Sequence, residues 1–370
     1  MRDFHKPGRS AVFASNAMCA TSHPFAAREA VALMEAGGNA VDGAICAAVL
    51  LGLCEPASTG IGGDMFALIK PAGTEDVKAF NASGRAPMAL SAALLRDQGE
   101  EVISIDSPHA VSVPGAIDGF CKLSEDWGCK GLAAALAPSI RYAETGVPVG
   151  PRTAFDWNGT FHRLKGDAVK FYGKDGAAYQ VGDVFKHPGQ ADVLRRIAEQ
   201  GRVGFYEGDV AEDMVASLNA LGGLHTMEDF AATEAEYVEP ISAAYKDVEL
   251  VEHPPNGQGI TALLLAKILS HFDIASLDPL GWERAHIEAE ATKLAYDARS
   301  RFVGDFEAAG PLMERMLDDG TAMELADLIS MDRVMATPPA EAAAVHKDTE
   351  PYIVPIETLI SLMLIGYATL

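Results

Sequence analysis

The chain has 370 residues, 49% of them hydrophobic, enough core material for one large α/β body or two ordinary domains and too much for a disordered protein. Lys+Arg total 29 against Asp+Glu 52, a formal net charge of −23 that repels phosphate backbones and anionic bilayers, so no nucleic acid and no membrane is expected as a partner. The same acidity serves solubility.

The polar start, Met1-Arg2-Asp3-Phe4-His5-Lys6-Pro7, lacks the apolar run of a secretory leader and predicts a cytoplasmic location for the chain as written. Ser22 is placed to cap a helix with Pro24 in its first turn, and Ala27, Ala30, Val31 and Met34 recur at helical spacing until Gly37-Gly38. Asn39 is placed to cap a second helix over Ala40 to Leu53, whose small and aliphatic residues suit burial on several sides. Gly60-Ile61-Gly62-Gly63-Asp64 then feeds a hairpin of strands Met65 to Lys70 and Val77 to Asn81, joined by Pro71-Ala72-Gly73-Thr74. That glycine loop fails both nucleotide-binding patterns: Met65 stands at the third glycine of GxGxxG, and no Gly-Lys-Ser/Thr follows. Its glycines instead suit close backbone approach, with Asp64 capping the loop or facing a polar site.

From Pro87 to about Ala235 the pattern is mostly helical, broken at Val113-Pro114-Gly115, Gly146-Val147-Pro148 and Gly222-Gly223, with Thr226 and Asp229 spaced as an acidic capping box. Strands resume over Ile241 to Tyr245 and Val248 to Glu252, and Pro254-Pro255-Asn256-Gly257-Gln258-Gly259 leads into an apolar helix over Ile260 to Leu269. Ala285 to Arg301 reads as a long amphipathic helix, and Pro338 to Val345 as an exposed linker where chain breaks are tolerated. Strands at both ends of a helix-rich middle predict a layered α+β body, with residues 1–348 as a single domain. Cys19, Cys46, Cys54, Cys121 and Cys129 are odd in number and contain no CxxC pair, which reads as buried thiols in a reducing compartment. The histidines lack HExxH or other ligand spacing, so neither a metal nor another cofactor is expected.

Two positions invite chemistry. Arg85, in Asn81-Ala82-Ser83-Gly84-Arg85-Ala86-Pro87, could offer a planar fork to a substrate carboxylate, against the plainer reading of a surface salt bridge. Thr349, in His346-Lys347-Asp348-Thr349, would become an N-terminal nucleophile if the Asp348–Thr349 bond were cut. The freed α-amino group, with an unperturbed pKa near ~8, could then act as general base for the threonine's own hydroxyl.

These pieces together resemble the gamma-glutamyltranspeptidase family, in the group that also holds gamma-glutamyltranspeptidase-like proteins and cephalosporin acylases. The likeness runs from about Ala14 to Thr349. It rests on Ala20-Thr21-Ser22-His23-Pro24, Ala36-Gly37-Gly38-Asn39-Ala40-Val41-Asp42-Gly43-Ala44 and Glu55-Pro56-Ala57-Ser58-Thr59-Gly60-Ile61-Gly62-Gly63. Ser112-Val113-Pro114-Gly115-Ala116, Pro254 to Gly259, Lys293-Leu294-Ala295-Tyr296 and Val303-Gly304-Asp305 follow in the same order.

The resemblance implies an N-terminal nucleophile hydrolase with an αββα sandwich, made as a zymogen that cuts itself between Asp348 and Thr349. The threonine hydroxyl would attack a γ-glutamyl amide of glutathione type, and water or an acceptor amine would release the acyl group. The implied partner is therefore a small γ-glutamyl or other dicarboxylic amide. Two departures qualify this. The family's carboxylate-binding arginine belongs to an Asn-Ala-Arg-Glu-x-Ala-Pro segment, and an ungapped match puts Ser83 there, with Arg85 two positions on and about 6.6 Å further along an extended strand. That departure motivates an alternative acylase acting on glutaryl-type amides. After Thr349 the family continues through a small subunit carrying the oxyanion hole, whereas residues 349–370 read as a truncated or aberrant small-subunit start. The sandwich is accordingly expected to be incomplete and the chain inactive without the missing small-subunit segment, or else a non-catalytic remnant or binding subunit.

Overall fold

The computed structural model describes residues 11–100 and 102–336 of the chain. Near the start, helix α1 (Pro24–Glu35) lies against helix α2 (Ala40–Cys54). Asn39 starts α2 with a reciprocal cap: its side chain accepts from the N–H groups of Val41 and Asp42, and its own N–H donates to Asp42 at 2.9 Å. The fully buried Asp42 carboxylate also accepts from the N–H groups of Cys129 and Lys130, at 3.0 and 3.1 Å, tying a distant loop to this helix start. The cap of α1 differs from expectation. His23 Nδ1, not Ser22, accepts from the Phe25 N–H, because the Ser22 hydroxyl is drawn 2.6 Å from the Glu55 carboxylate, a stronger charge-assisted acceptor.

Strand β1 (Met65–Ile69) pairs antiparallel with β2 (Lys78–Ala82), Met65 facing Ala82. Further on, the two-residue strands β3 (Val147–Pro148) and β4 (Val184–Phe185) form a small ribbon. β5 (Glu236–Val238) then joins the first sheet, giving the order β1-β2-β5, while β6 (Ile241–Tyr245) and β7 (Val248–Glu252) form a hairpin of their own. Strand β5 is absent from the elements expected above. Its three residues include a charged and an aromatic side chain, too short a run to show period-two alternation, and they become a strand because β2 offers a free edge.

The main core forms around β2, where Phe80 packs with Ile45 and Val49 of α2, Ile117 and Phe120 of the helix Ala116–Asp126, and the aromatic set Phe205, Tyr206 and Phe230. Full burial of an aromatic ring such as Phe80 contributes about 1.5–3 kcal/mol. A second core joins the helices Gly259–Ser270, Trp282–Phe302 and Asp319–Ala326 through Leu264, Ile268, Leu294, Ala298 and Leu325. The helix Trp282–Phe302 begins three residues earlier than the amphipathic pattern suggested.

All five cysteines are free, and the expectation that they are buried holds only in part. Cys46 and Cys54 are buried, Cys19 and Cys121 half-buried and Cys129 exposed, because Cys129 sits in the loop that hydrogen-bonds to the start of α2. Among the described residues no helix is long and apolar enough to cross a membrane, and no group of three or more His, Cys, Asp or Glu side chains could hold a metal ion.

Candidate active site

Several of the sequence motifs meet where β2 ends. At Gly84 the backbone takes φ +77°, which terminates the strand, and a Cβ there would lie 1.8 Å from the Val113 carbonyl oxygen. Gly115 is just as constrained, since a Cβ on it would approach the Ala82 carbonyl oxygen to 2.3 Å. These two glycines let the Val113-Pro114-Gly115 loop press against the strand end, and the Val113 N–H donates to the Arg85 carbonyl at 2.9 Å. The fully buried Tyr206 holds the loop from behind, donating to the Pro114 carbonyl at 2.7 Å and accepting from the Asp118 N–H at 3.1 Å.

The glycine loop before β1 joins the same centre. Gly63 offers its carbonyl to the N–H groups of Gly115 and Ala116, both at 3.1 Å. This is the close backbone approach expected of the loop. Asp64 stays exposed, although neighbouring groups displace enough water to raise its carboxyl pKa.

The loop after β7 closes the site from the other side. Asn256 donates through Nδ2 to the Ser83 hydroxyl at 2.9 Å and accepts through Oδ1 from the Asn81 amide at 3.1 Å, while Asn81 Oδ1 accepts the Ser83 N–H at 3.0 Å. Every contact in this ring pairs a donor with an acceptor. The Ser83 hydroxyl proton has only a long 3.4 Å contact to the Gly84 carbonyl, so this neutral, largely buried group keeps a donor for an incoming oxygen. His253, packed edge-on against Phe66 with ring centroids 4.7 Å apart, donates from Nδ1 to the Pro254 carbonyl at 2.7 Å, and burial pushes its imidazole pKa down. Gln258 accepts from Arg299 at 2.7 Å, fixing the loop to the helix Trp282–Phe302.

Arg85 does not lie on the same face as Ser83. The left-handed turn at Gly84 breaks the extended repeat, and the Arg85 guanidinium swings outward to a side chain that is 70% exposed, 3.6 Å from Glu236 and 4.0 Å from Asp305. Exposed pairs of this length contribute about 0–1 kcal/mol, so they do not lock the guanidinium. Ser83 and Arg85 thus border one corner in two different settings, one neutral and enclosed, the other charged and open. Asp348 and Thr349 lie outside the described residues. Asn81 and Asn256 were missed as site residues by sequence reasoning; the one available signal was an asparagine in each of two motifs far apart in the chain. An open depression of about 870 Å³ elsewhere is lined by Asp118, Lys122, Arg202 and Thr233, but the Asp118 carboxylate there is occupied by Arg202 and the Ala235 N–H, a structural tie.

The family model of gamma-glutamyltranspeptidase matches residues 26–353. The chain belongs to the gamma-glutamyltranspeptidase family. Its relatives in that family include the glutathione hydrolase-like YwrD proenzyme of Bacillus subtilis, 31% identical over 91% of this chain and 64% of that protein. The glutathione hydrolase proenzyme of the same organism is 28% identical over 90% of this chain and 59% of its own length. The chain therefore spans about three-fifths of the length of the curated relatives it matches. Among solved structures, the Helicobacter pylori gamma-glutamyltranspeptidase superposes with a TM-score of 0.83 at 26% identity, covering 92% of this chain and 100% of that one. A cephalosporin acylase from Bacillus halodurans gives 0.81 at 36% identity, covering 89% of this chain and 63% of that one. The fold is thus the α+β architecture of the N-terminal nucleophile hydrolases of this family, of which this chain carries a part.

Proposed function

We propose that the whole protein is an acyltransferase or hydrolase of γ-glutamyl amides of the glutathione type, working through Thr349 after self-cleavage at Asp348–Thr349. In maturation the Thr349 hydroxyl adds to the Asp348 carbonyl and the peptide nitrogen leaves, giving an ester with a free α-amino group. Water then cleaves that ester, releasing the Asp348 carboxylate and regenerating the hydroxyl. In turnover the α-amine takes the hydroxyl proton as the oxygen attacks the substrate amide, and the same proton goes to the departing amine. Water or an acceptor amine next removes the acyl group.

The observation that carries this reading is the convergence at the end of β2 of the glycine loop, the Val113-Pro114-Gly115 loop and the Asn256 loop around Ser83 and Arg85. Motifs separated by nearly two hundred residues meet at one polar corner. Arg85 supplies a planar fork for a substrate carboxylate, and the Ser83 hydroxyl supplies a neutral donor beside it. Residues 1–348 are proposed as a single domain, with Thr349 opening the second polypeptide, whose continuation in a small subunit supplies the oxyanion donors. Each such donor is commonly worth ~2.7–4 kcal/mol, so residues 1–370 alone are proposed to be inactive.

A second reading, an acylase of glutaryl-type amides, is favoured by one observation: the enclosed group at this corner is Ser83, whereas the charged Arg85 stands outside it. Incubation with γ-glutamyl-p-nitroanilide and with glutaryl-p-nitroanilide separates the two. Turnover by the full-length protein, abolished by Thr349→Ala, is expected. Robust turnover by residues 1–370 alone would refute the inactivity proposed for them, and unchanged KM of Arg85→Ala on every carboxylated substrate would remove Arg85 from the site.

A further inference from the structure

The two faces of the hairpin β1–β2 have different neighbours. Met65, Ala67 and Ile69 of β1 pack into the main core with Phe80 and Ala82 of β2, and a Cβ on Gly119 would lie 2.5 Å from both the Ala82 Cβ and the Met65 methyl. Side chains alternate along a strand, so Phe66 and Asn81, an opposed pair in the register, point the other way. Their contacts agree. Phe66 meets the His253 ring, while Asn81 and Ser83 both meet Asn256. The outer face of the hairpin is thus the floor of the substrate corner.

Asp64 belongs to that outer face. It is two positions before Phe66, and the register that sets Met65 opposite Ala82, carried one step on, sets Asp64 across from Ser83. Opposed residues of an antiparallel pair have Cβ atoms about 4.5–5.5 Å apart. The Asp64 backbone is held from both sides: Gly63 gives its carbonyl to the N–H groups of Gly115 and Ala116, both at 3.1 Å, and Met65 is in the ladder. Among the described residues the Asp64 carboxylate has no ion-pair partner, and the hydrogen bond acting on it comes from its own N–H. Arg85, by contrast, stands between Glu236 and Asp305. The Asp64 side chain is exposed, yet neighbouring groups displace water from its carboxyl and push its pKa up. A cation beside it offsets that loss of water.

We propose that Asp64 determines specificity, by taking an ammonium group on the acyl portion of the substrate as that portion lies against the Ser83–Asn256 corner. The polar groups there divide the work. The Ser83 hydroxyl proton and the Arg85 fork suit carboxylate oxygens, and Asp64 suits a primary ammonium next to them. Together they match an acyl group with an amine and a carboxylate on one carbon, as in a γ-glutamyl group. A glutaryl group leaves Asp64 unanswered. The inference rests on the reading of this corner as the substrate site, given above, and chooses between its two acyl classes.

The test compares γ-glutamyl-p-nitroanilide with glutaryl-p-nitroanilide, which differ only by that amine, on the full-length protein as wild type, Asp64→Asn and Asp64→Ser. The expected result is a wild-type preference in kcat/KM for the γ-glutamyl substrate that falls about tenfold or more in both variants, the loss of one charge-assisted hydrogen bond. Calorimetric titration with L-glutamate and with glutarate gives a second readout that needs no turnover. L-glutamate is expected to bind the wild type more tightly than glutarate does, and the variants to bind the two alike. An unchanged preference, an equal loss on both substrates, or a wild type that favours the glutaryl substrate overturns the assignment and leaves acyl transfer at this corner standing. Should the variants turn over neither substrate, the titrations decide: loss confined to L-glutamate supports the assignment, and equal loss of both ligands overturns it. A wild type that turns over neither substrate overturns the functional reading and the assignment with it.

Discussion

The side-chain amide of Asn256 donates to the hydroxyl of Ser83 at 2.9 Å across 173 positions of sequence. Through this bond and its partner to Asn81, the loop after β7 and the end of β2 become a single polar corner. Asn256→Ala removes a donor and an acceptor together and leaves the enclosed Ser83 and Asn81 groups short of partners. The expected cost is about 1–3 kcal/mol, seen as a fall of several degrees in Tm. Asn256→Asp keeps the acceptor toward Asn81 but loses the donor toward Ser83, and is expected to weaken carboxylated substrates further by adding a negative charge beside them. KM on γ-glutamyl-p-nitroanilide, measured with the full-length protein, checks that second effect.

Gly84 and Gly60 make a controlled pair. An alanine at 84 has to adopt φ +77° and pushes its Cβ to 1.8 Å from the Val113 carbonyl, whereas a Cβ at 60 meets nothing within 4 Å. Gly84→Ala is expected to cost about 3–5 kcal/mol, from the left-handed strain and the overpacking together, and Gly60→Ala less than about 0.5 kcal/mol. Urea unfolding of both variants decides it; equal midpoints contradict the close approach described for the strand end.

Thiol reactivity follows burial. Cys129 is exposed, while burial pushes the Cys46 and Cys54 thiols up to about 12 and leaves almost no thiolate at neutral pH. Brief treatment of the native protein with N-ethylmaleimide is expected to label Cys129 and to spare Cys46 and Cys54 until denaturant is added. Peptide mass spectrometry reads the order directly.

Burial pushes the imidazole pKa values of His187, His225 and His253 below the ordinary value of 6.5. As pH drops through that value the unfolded chain takes up protons that the folded chain refuses, so stability is full above it and declines until the folded pKa values are passed. Asp64 and Glu252, both raised because neighbouring groups displace water from around them, act in the opposite direction at lower pH, losing stability as pH climbs through their folded values. The histidine contribution is therefore best isolated by comparison. His225→Gln is expected to flatten the fall in Tm between pH 7.5 and 5.5, and an unchanged slope shows that His225 titrates in the folded state as it does in water.

What could be read in advance was whatever depends on neighbours in sequence. The hairpin of β6 and β7 has its bounds at Ile241, Tyr245, Val248 and Glu252 as expected, since alternation and a two-residue turn are local signals. The cap at Asn39 and the capping box of Thr226 with Asp229 were equally visible, whereas the return bond from Asp42 was not anticipated. The cap on α1 was misassigned to Ser22 because its competitor, Glu55, comes 33 residues later. Of the candidate site, Ser83 and Arg85 were found through their motif, but their different settings depend on a turn at Gly84 that only the packing of Val113 explains. The bond from Asn256 to Ser83, and the contacts of Glu290 and Lys293 with the backbone of Met335, are pairings across distance, and no periodicity announces them.

The Asp42 carboxylate has a bearing on how the polypeptide comes into being. Two of the amides it accepts from belong to Cys129 and Lys130, so a nascent chain that has not yet presented those residues buries this anion only half-answered. Synthesis must pass residue 130 before the earliest helices can settle, and a fragment halted short of it is left with an ion it cannot hide.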